Sequence, residues 1–161
     1  MKKASLITLL LLIVLIFGFE QVLADGIFDR LVAKKWQGTG KLLGKSATYD
    51  MAWSKVLNDQ YFTLKFQNMR VVEGKEVIFN AHAYYKIVNE KQVEGVWFDS
   101  RGIYFPLVGS YNEAELIIDW GSVKTEQGRT IYTLRDSKNI DVTDFVLKSG
   151  KYLQFGDASY K

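Results

Sequence analysis

The sequence predicts an all-β fold: about ten antiparallel strands in an up-and-down meander closed into a barrel, with a short helix before the first strand. Three observations predict it. From Trp36 onward the chain repeats one unit, an alternating apolar/polar segment of about eight to ten residues followed by a short polar turn. The first strand opens on Trp36-Gln37-Gly38-Thr39-Gly40, in which small residues at alternate positions let neighbouring strands approach closely. The indole beside them is large enough to plug the end of a curved sheet. Finally, no helical segment of about 10 residues stands between strands, so parallel crossovers are excluded in favour of hairpins.

Met1-Lys2-Lys3 followed by an apolar stretch from Ala4 to Phe19 has the layout of a secretory signal peptide. Val22-Leu23-Ala24 offers short side chains for cleavage after residue 24, and the alternative is an uncleaved anchor. Cleavage would leave residues 25–161 as one domain, in the periplasm or outside the cell, with no stable membrane insertion. The sequence contains no cysteine, which excludes a lipid-attachment site, thiolate metal ligands and thiol catalysis. The formal charge of +3 falls to +2 once Lys2, Lys3 and Glu20 are removed. Lysines scattered singly among acidic residues make no basic stripe for nucleic acid.

Taken in order, Ile27, Phe28, Leu31 and Val32 are spaced as on a helix, which is expected to lid one barrel end. Strand one is predicted at Trp36–Leu43 and strand two at Ala47–Leu57, where Tyr49, Met51 and Trp53 share one face. Asn58-Asp59 turns the chain. Strand three turns Phe62, Leu64 and Phe66 inward, and strand four does the same with Phe79, Ala81, Ala83 and Tyr85, leaving His82 outside. Strand five, Gln92–Asp99, is read with Val96 and Phe98 inward and Trp97 opposite. Strand six holds Phe105 and the only proline, Pro106, which argues for an edge, a bulge or a kink. Strand seven alternates Leu116, Ile118 and Trp120 against Glu115, Ile117 and Asp119; strands eight, nine and ten run over Arg129–Arg135, Ile140–Leu147 and Lys151–Tyr160.

A short helix, Trp-x-Gly-x-Gly on the first strand and a ten-strand meander together resemble the calycin superfamily, which includes lipocalins, fatty-acid-binding proteins and nitrobindin-like haem-binding barrels. The resemblance covers most of residues 26–161 and is nearest to small exported lipocalin-like domains. It implies a protein that holds an apolar molecule inside the barrel. Two departures limit what carries over. The carboxylate clamp of fatty-acid-binding proteins is Arg-x-Tyr, whereas Arg129-Thr130-Ile131-Tyr132 is Arg-x-x-Tyr, placing Arg129 and Tyr132 on opposite faces of a regular strand. The histidine that holds haem in nitrobindin-like barrels lies near the C-terminus, and this chain has none there, so no cofactor is implied.

Gly40-Lys41-Leu42-Leu43-Gly44-Lys45-Ser46 is not a phosphate loop, because the required first glycine is replaced by Thr39 and a strand follows where a helix is needed. His82 is the sole histidine, so any relay or multi-histidine metal site would rest on it alone. An enzyme is therefore the least favoured class. Asp144 shares parity with Ile140, Val142 and Val146 and is expected to need a partner if it points inward, with Arg129 or Arg135 as candidates. The most suggestive set is aromatic. Tyr49, Trp53, Phe62, Phe66, Phe79, Tyr85, Phe98, Phe105 and Trp120 fall on predicted inner parities, with Arg129, Tyr132 and Arg135 available to meet a polar head group at the rim. Two readings follow: an exported carrier of a small hydrophobic or amphipathic molecule, or an envelope interaction module whose barrel the same rings fill.

Overall fold

The computed structural model describes residues 26–161; the predicted signal segment and Asp25 lie outside the described residues. A one-turn helix α1 (Ile27–Leu31) precedes ten strands: β1 (Lys35–Leu42), β2 (Lys45–Val56), β3 (Tyr61–Val72), β4 (Lys75–Asn89), β5 (Gln92–Asp99), β6 (Tyr104–Tyr111), β7 (Glu115–Gly121), β8 (Gln127–Leu134), β9 (Ile140–Lys148) and β10 (Lys151–Tyr160). Each strand pairs antiparallel with its sequence neighbours, and β1 pairs with β10 through registers such as Gly38↔Tyr160 to close the barrel. Closure removes the sheet edges that an open meander would expose. Among the described residues no helix is long and apolar enough to cross a membrane.

Short turns enforce the meander. Leu43-Gly44, Glu73-Gly74 and Ser149-Gly150 each link two strands with both residues at positive φ, between 50° and 76°. That backbone matches the twist of a two-residue hairpin, and glycine at its second position adopts it without steric cost. All three turns lie at the same end of the barrel.

The opposite end is shut by α1. Phe28 stacks on Phe62 at 4.6 Å between ring centroids and meets Tyr111 edge-on at 5.5 Å. Ile27, Phe28 and Leu31 are all fully buried. The Trp36 indole donates to the Leu31 carbonyl at 2.9 Å, and the Ile27 amide donates to Asn112 at 3.0 Å. Lys55 and Asp29 add an ion pair at 3.2 Å. A five-residue helix has little stability of its own, so these tertiary contacts hold it.

The glycines of β1 seal the seam. A Cβ on Gly40 would collide with the Asp157 carbonyl and the Ala158 backbone of β10, which no rotamer change relieves. Gly40→Ala is therefore expected to lower stability by about 2–3 kcal/mol through a displaced β1–β10 pairing, read as a lower denaturation midpoint with loss of amide-exchange protection in those two strands.

Pro106 sits at a local edge. It pairs with Val96 of β5, whereas β6 meets β7 only from Leu107 onward, so its missing N–H leaves no ladder bond unmade on that side.

The two inward assignments made for strand five, Val96 and Phe98, are corrected. In β5 the inner residues are Val93, Gly95, Trp97 and Asp99, paired with Ile87, Tyr85, Ala83 and Ala81 of β4. Phe98 lies outside, 47% exposed, against Tyr104 at 6.3 Å. The inversion has a chemical cause. Asp99 can face inward because Arg101 bonds both its oxygens, at 3.1 and 2.8 Å, while the Trp97 indole donates at 3.2 Å. A carboxylate so satisfied tolerates burial that alternation alone assigns to the phenyl ring.

Candidate functional site

Side chains inside the barrel divide by depth. Beneath α1 the core is solid, with Trp53, Phe62, Leu64, Val93, Leu116 and Ile140 all buried. Above it lies a cavity of about 560 Å³ that opens at the end with the two-residue turns. Two groups of rings form its walls. Phe66, Phe79 and Trp97 from β3, β4 and β5 lie 5.7–6.4 Å apart, and Phe105, Trp120 and Phe155 from β6, β7 and β10 continue the other side at 5.4 and 6.5 Å. The Arg101 guanidinium stands at the mouth between them, 5.6 Å from the Phe79 ring and 5.9 Å from Phe105. Its bonds to Asp99 and a 3.2 Å contact with Glu126 fix it there. Burial opposes charge on Asp99, yet the hydrogen bonds from Arg101 prevail and hold its carboxyl below the usual range.

The residues singled out in the sequence are distributed unevenly. Phe66, Phe79, Tyr85, Phe105, Trp120 and Tyr132 line the cavity. Trp53 and Phe62 belong to the floor. Trp53 stacks on Tyr85 at 5.2 Å, and its Nε1 is buried with no hydrogen-bond partner among the described residues. Tyr49 points inward but packs against Phe66 and Tyr160, donating to the Lys41 carbonyl at 3.0 Å. Phe98 is outside, as described above.

The two arginines offered for a head group are also outside. Arg129 binds both Asp119 oxygens, at 2.6 and 2.9 Å, and stacks on Tyr152 at 4.7 Å. Arg135 pairs with Asp141 near the β8–β9 turn. Neither borders the cavity: Arg129 sits on the outward parity of β8, directly opposite Asp119 of β7, and Arg135 lies just beyond the end of β8. Tyr132 is inward, so the Arg-x-x-Tyr spacing separates its two members. His82 is exposed on the outer face, across from Lys65 and Phe98.

The polar groups inside are different ones. Asp144 points into the barrel and accepts a 2.7 Å hydrogen bond from the Thr130 hydroxyl, its cross-strand neighbour, and no arginine. Burial raises its carboxyl to about 6, the Thr130 bond opposes that rise, and the charge of Asp157 adds to it. Tyr85, Tyr132 and Tyr160 border the same space, and burial raises all three phenols, keeping them protonated. Nearer the mouth, Asn68 and Arg70 from β3 face the cavity, and no hydrogen bond or ion pair holds either side chain among the described residues. Lys148 completes the rim. Sequence parity exposed Asp144; Asn68 and Arg70 carried no signal beyond following Phe66 at every second position. Among the described residues no group of three or more His, Cys, Asp or Glu could hold a metal ion.

No protein-family model and no curated protein match this sequence. Among solved structures, the chain is similar to the S-type phycobiliprotein lyase CPES from Guillardia theta, with 8% identity, a TM-score of 0.58, and coverage of 83% of this chain and 88% of that one. A redesigned β-barrel aligns with 10% identity and a TM-score of 0.45 over 85% of this chain and 96% of that one. The first likeness shows a shared barrel fold.

Proposed function

We propose that this chain is an exported binding protein that holds one small, largely apolar molecule non-covalently inside its barrel. The observation that carries the reading is the cavity of about 560 Å³, lined largely by aromatic rings and open at the end with the two-residue turns. A volume of that order suits a small ligand, and burying an apolar body against ring faces contributes roughly 25 cal/mol per Å². The phycobiliprotein lyase likeness adds the fold alone; the ligand reading rests on the interior. An interior of this size does not suit a barrel filled by its own side chains. The outer patch of Tyr84, Val96, Phe98, Tyr104 and Pro106, contiguous across β4, β5 and β6, supports a partner-docking role as the second reading.

Nile red, a neutral apolar dye whose emission rises on leaving water, tests the first reading. Wild-type protein is expected to bind it saturably at about one equivalent. Val146→Trp places an indole in the cavity from β9, and is expected to weaken dye uptake about tenfold while leaving the circular dichroism spectrum unchanged. Dye that failed to bind wild type, or bound the variant equally well, would remove the cavity from the explanation. Native mass spectrometry of protein purified from its own host is the companion measurement, since a retained ligand appears there as an adduct lost on denaturation.

A further inference from the structure

Several carboxylates of the barrel have a guanidinium beside them: Asp119 has Arg129, Asp141 has Arg135, and Asp99 and Glu126 share Arg101. Asp144 does not. Its Oδ1 accepts the Thr130 hydroxyl, and Oδ2 lies over Gly156, where even a Cβ would come within 3.2 Å. That glycine, cross-strand from Asp144 at the β10 bulge, leaves the oxygen room. No hydrogen bond to Oδ2 occurs among the described residues, and Asp144 borders the cavity.

The groups facing it come from every neighbouring wall. Tyr49 on β2, Tyr85 on β4, Tyr132 on β8 and Tyr160 on β10 each interact electrostatically with Asp144, and each phenol is pushed up, first by burial. The other charge acting on it is Asp157 on β10, which has the same sign. Asp144 is thus an acid ringed by neutral phenols and another acid, at the base of an apolar cavity. A carboxylate in that setting is stabilised by whatever brings a positive charge with N–H donors, and aromatic faces attract such a cation as well. At the depth of Asp144 a ligand carboxylate would be repelled, the cations on the same cavity, Arg70, Arg101 and Lys148, standing nearer the mouth; a pure hydrocarbon would leave the charge unanswered.

Building on the cavity as a ligand site, we propose that it selects a hydrophobic amine, whose apolar body lies along the ring walls while its protonated nitrogen donates to the free oxygen of Asp144 beside Thr130. The amine enters nitrogen first. Its affinity depends on Asp144 being ionised, so it falls as the medium is acidified through the range near pH 6 in which this carboxyl titrates, while the four phenols keep their protons throughout.

The test is displacement of bound Nile red from the full barrel by three molecules of one chain length: dodecylamine, dodecanol and dodecanoate, all below their aggregation limits. At pH 8 the amine is expected to displace dye at about tenfold lower concentration than the alcohol, with dodecanoate weakest. At pH 5 the gap closes. Asp144→Asn removes the charge but keeps the shape, and is expected to bind dye normally while treating amine and alcohol alike; Thr130→Val keeps the carboxylate and therefore the preference for amine. Equal displacement by amine and alcohol in wild type, or a preference that survives in Asp144→Asn, overturns the amine assignment while leaving the cavity reading in place. Failure of wild type to take up Nile red overturns both.

Discussion

Replacing Phe28 by alanine is expected to cost about 3–5 kcal/mol, a large share of the roughly 5–15 kcal/mol that holds a domain of this size together. The magnitude follows from position. Phe28 is fully buried, stacks on Phe62, and meets Trp53, Tyr85 and Tyr111 at ring-centroid distances of 5.5–6.1 Å. Those neighbours belong to strands paired on both sides, so they cannot collapse into the space a lost ring leaves. The helix itself gains nothing to compensate, since five residues cannot sustain a helix in water.

Phe79→Ala is the informative control. Its ring already borders open cavity, so truncation removes contacts on one side only and is expected to cost about 1–2 kcal/mol. Thermal melts would separate the two, with Phe28→Ala lowered by about 10–20 °C and Phe79→Ala by a few degrees. Equal losses would mean that the closed end is not where stability is concentrated.

The same division by depth explains what the sequence did and did not disclose. Alternation in β2 places Tyr49, Met51 and Trp53 on one face, and the structure keeps all three inside. Two-residue turns ending in glycine fix which strands are neighbours, so the meander is legible from local chemistry. Depth is another matter. Phe62 and Phe66 are two residues apart on one strand with the same parity, yet one forms the floor under α1 and the other the cavity wall. Only the stagger of the closed barrel separates them, and that stagger is a property of all ten registers together.

Charged residues mislead or inform according to their partners. In β5 the sequence reading turns Val96 and Phe98 inward, whereas Asp99 takes the inner parity because Arg101, two residues on across a turn, binds both its oxygens. Arg129 looked available to a ligand, but the register sets Asp119 directly opposite it. Asp144 was visible by parity. Its partner was not, because the pairing Thr130↔Asp144 depends on the length of the connection between β8 and β9 rather than on either residue.

Asp144 also gives the unliganded protein an unusual pH dependence. In the unfolded chain its carboxyl titrates near 3.8, and in the barrel near 6, because burial penalises the charged form. Between those values the folded state binds more protons than the unfolded state, so stability falls as pH rises through the interval. Two pH units of difference correspond to about 3 kcal/mol, fully withheld above pH 7 and fully restored below pH 4. Asp99 and Asp141 act with the opposite sign. Hydrogen bonds from Arg101, and from Ser159 and Arg135, hold their carboxyls low, so their contributions vanish on acidification.

A wild-type melt alone would blend these effects, and the comparison with Asp144→Asn isolates one. The amide can still accept from Thr130 but never ionises. The variant is therefore expected to exceed wild type by about 3 kcal/mol at pH 8, with the advantage shrinking through pH 6 and disappearing near pH 4. Urea midpoints at three pH values would measure it. An advantage that stayed constant with pH would assign the effect to packing around Gly156, and one that grew toward acid would place the folded carboxyl below its unfolded value. A protein that gives up stability at neutral pH to keep a carboxylate inside an apolar cavity retains a charge that a bound cation can neutralise, and adding dodecylamine at pH 8 should then raise the wild-type midpoint toward that of the variant while leaving the variant itself nearly unmoved.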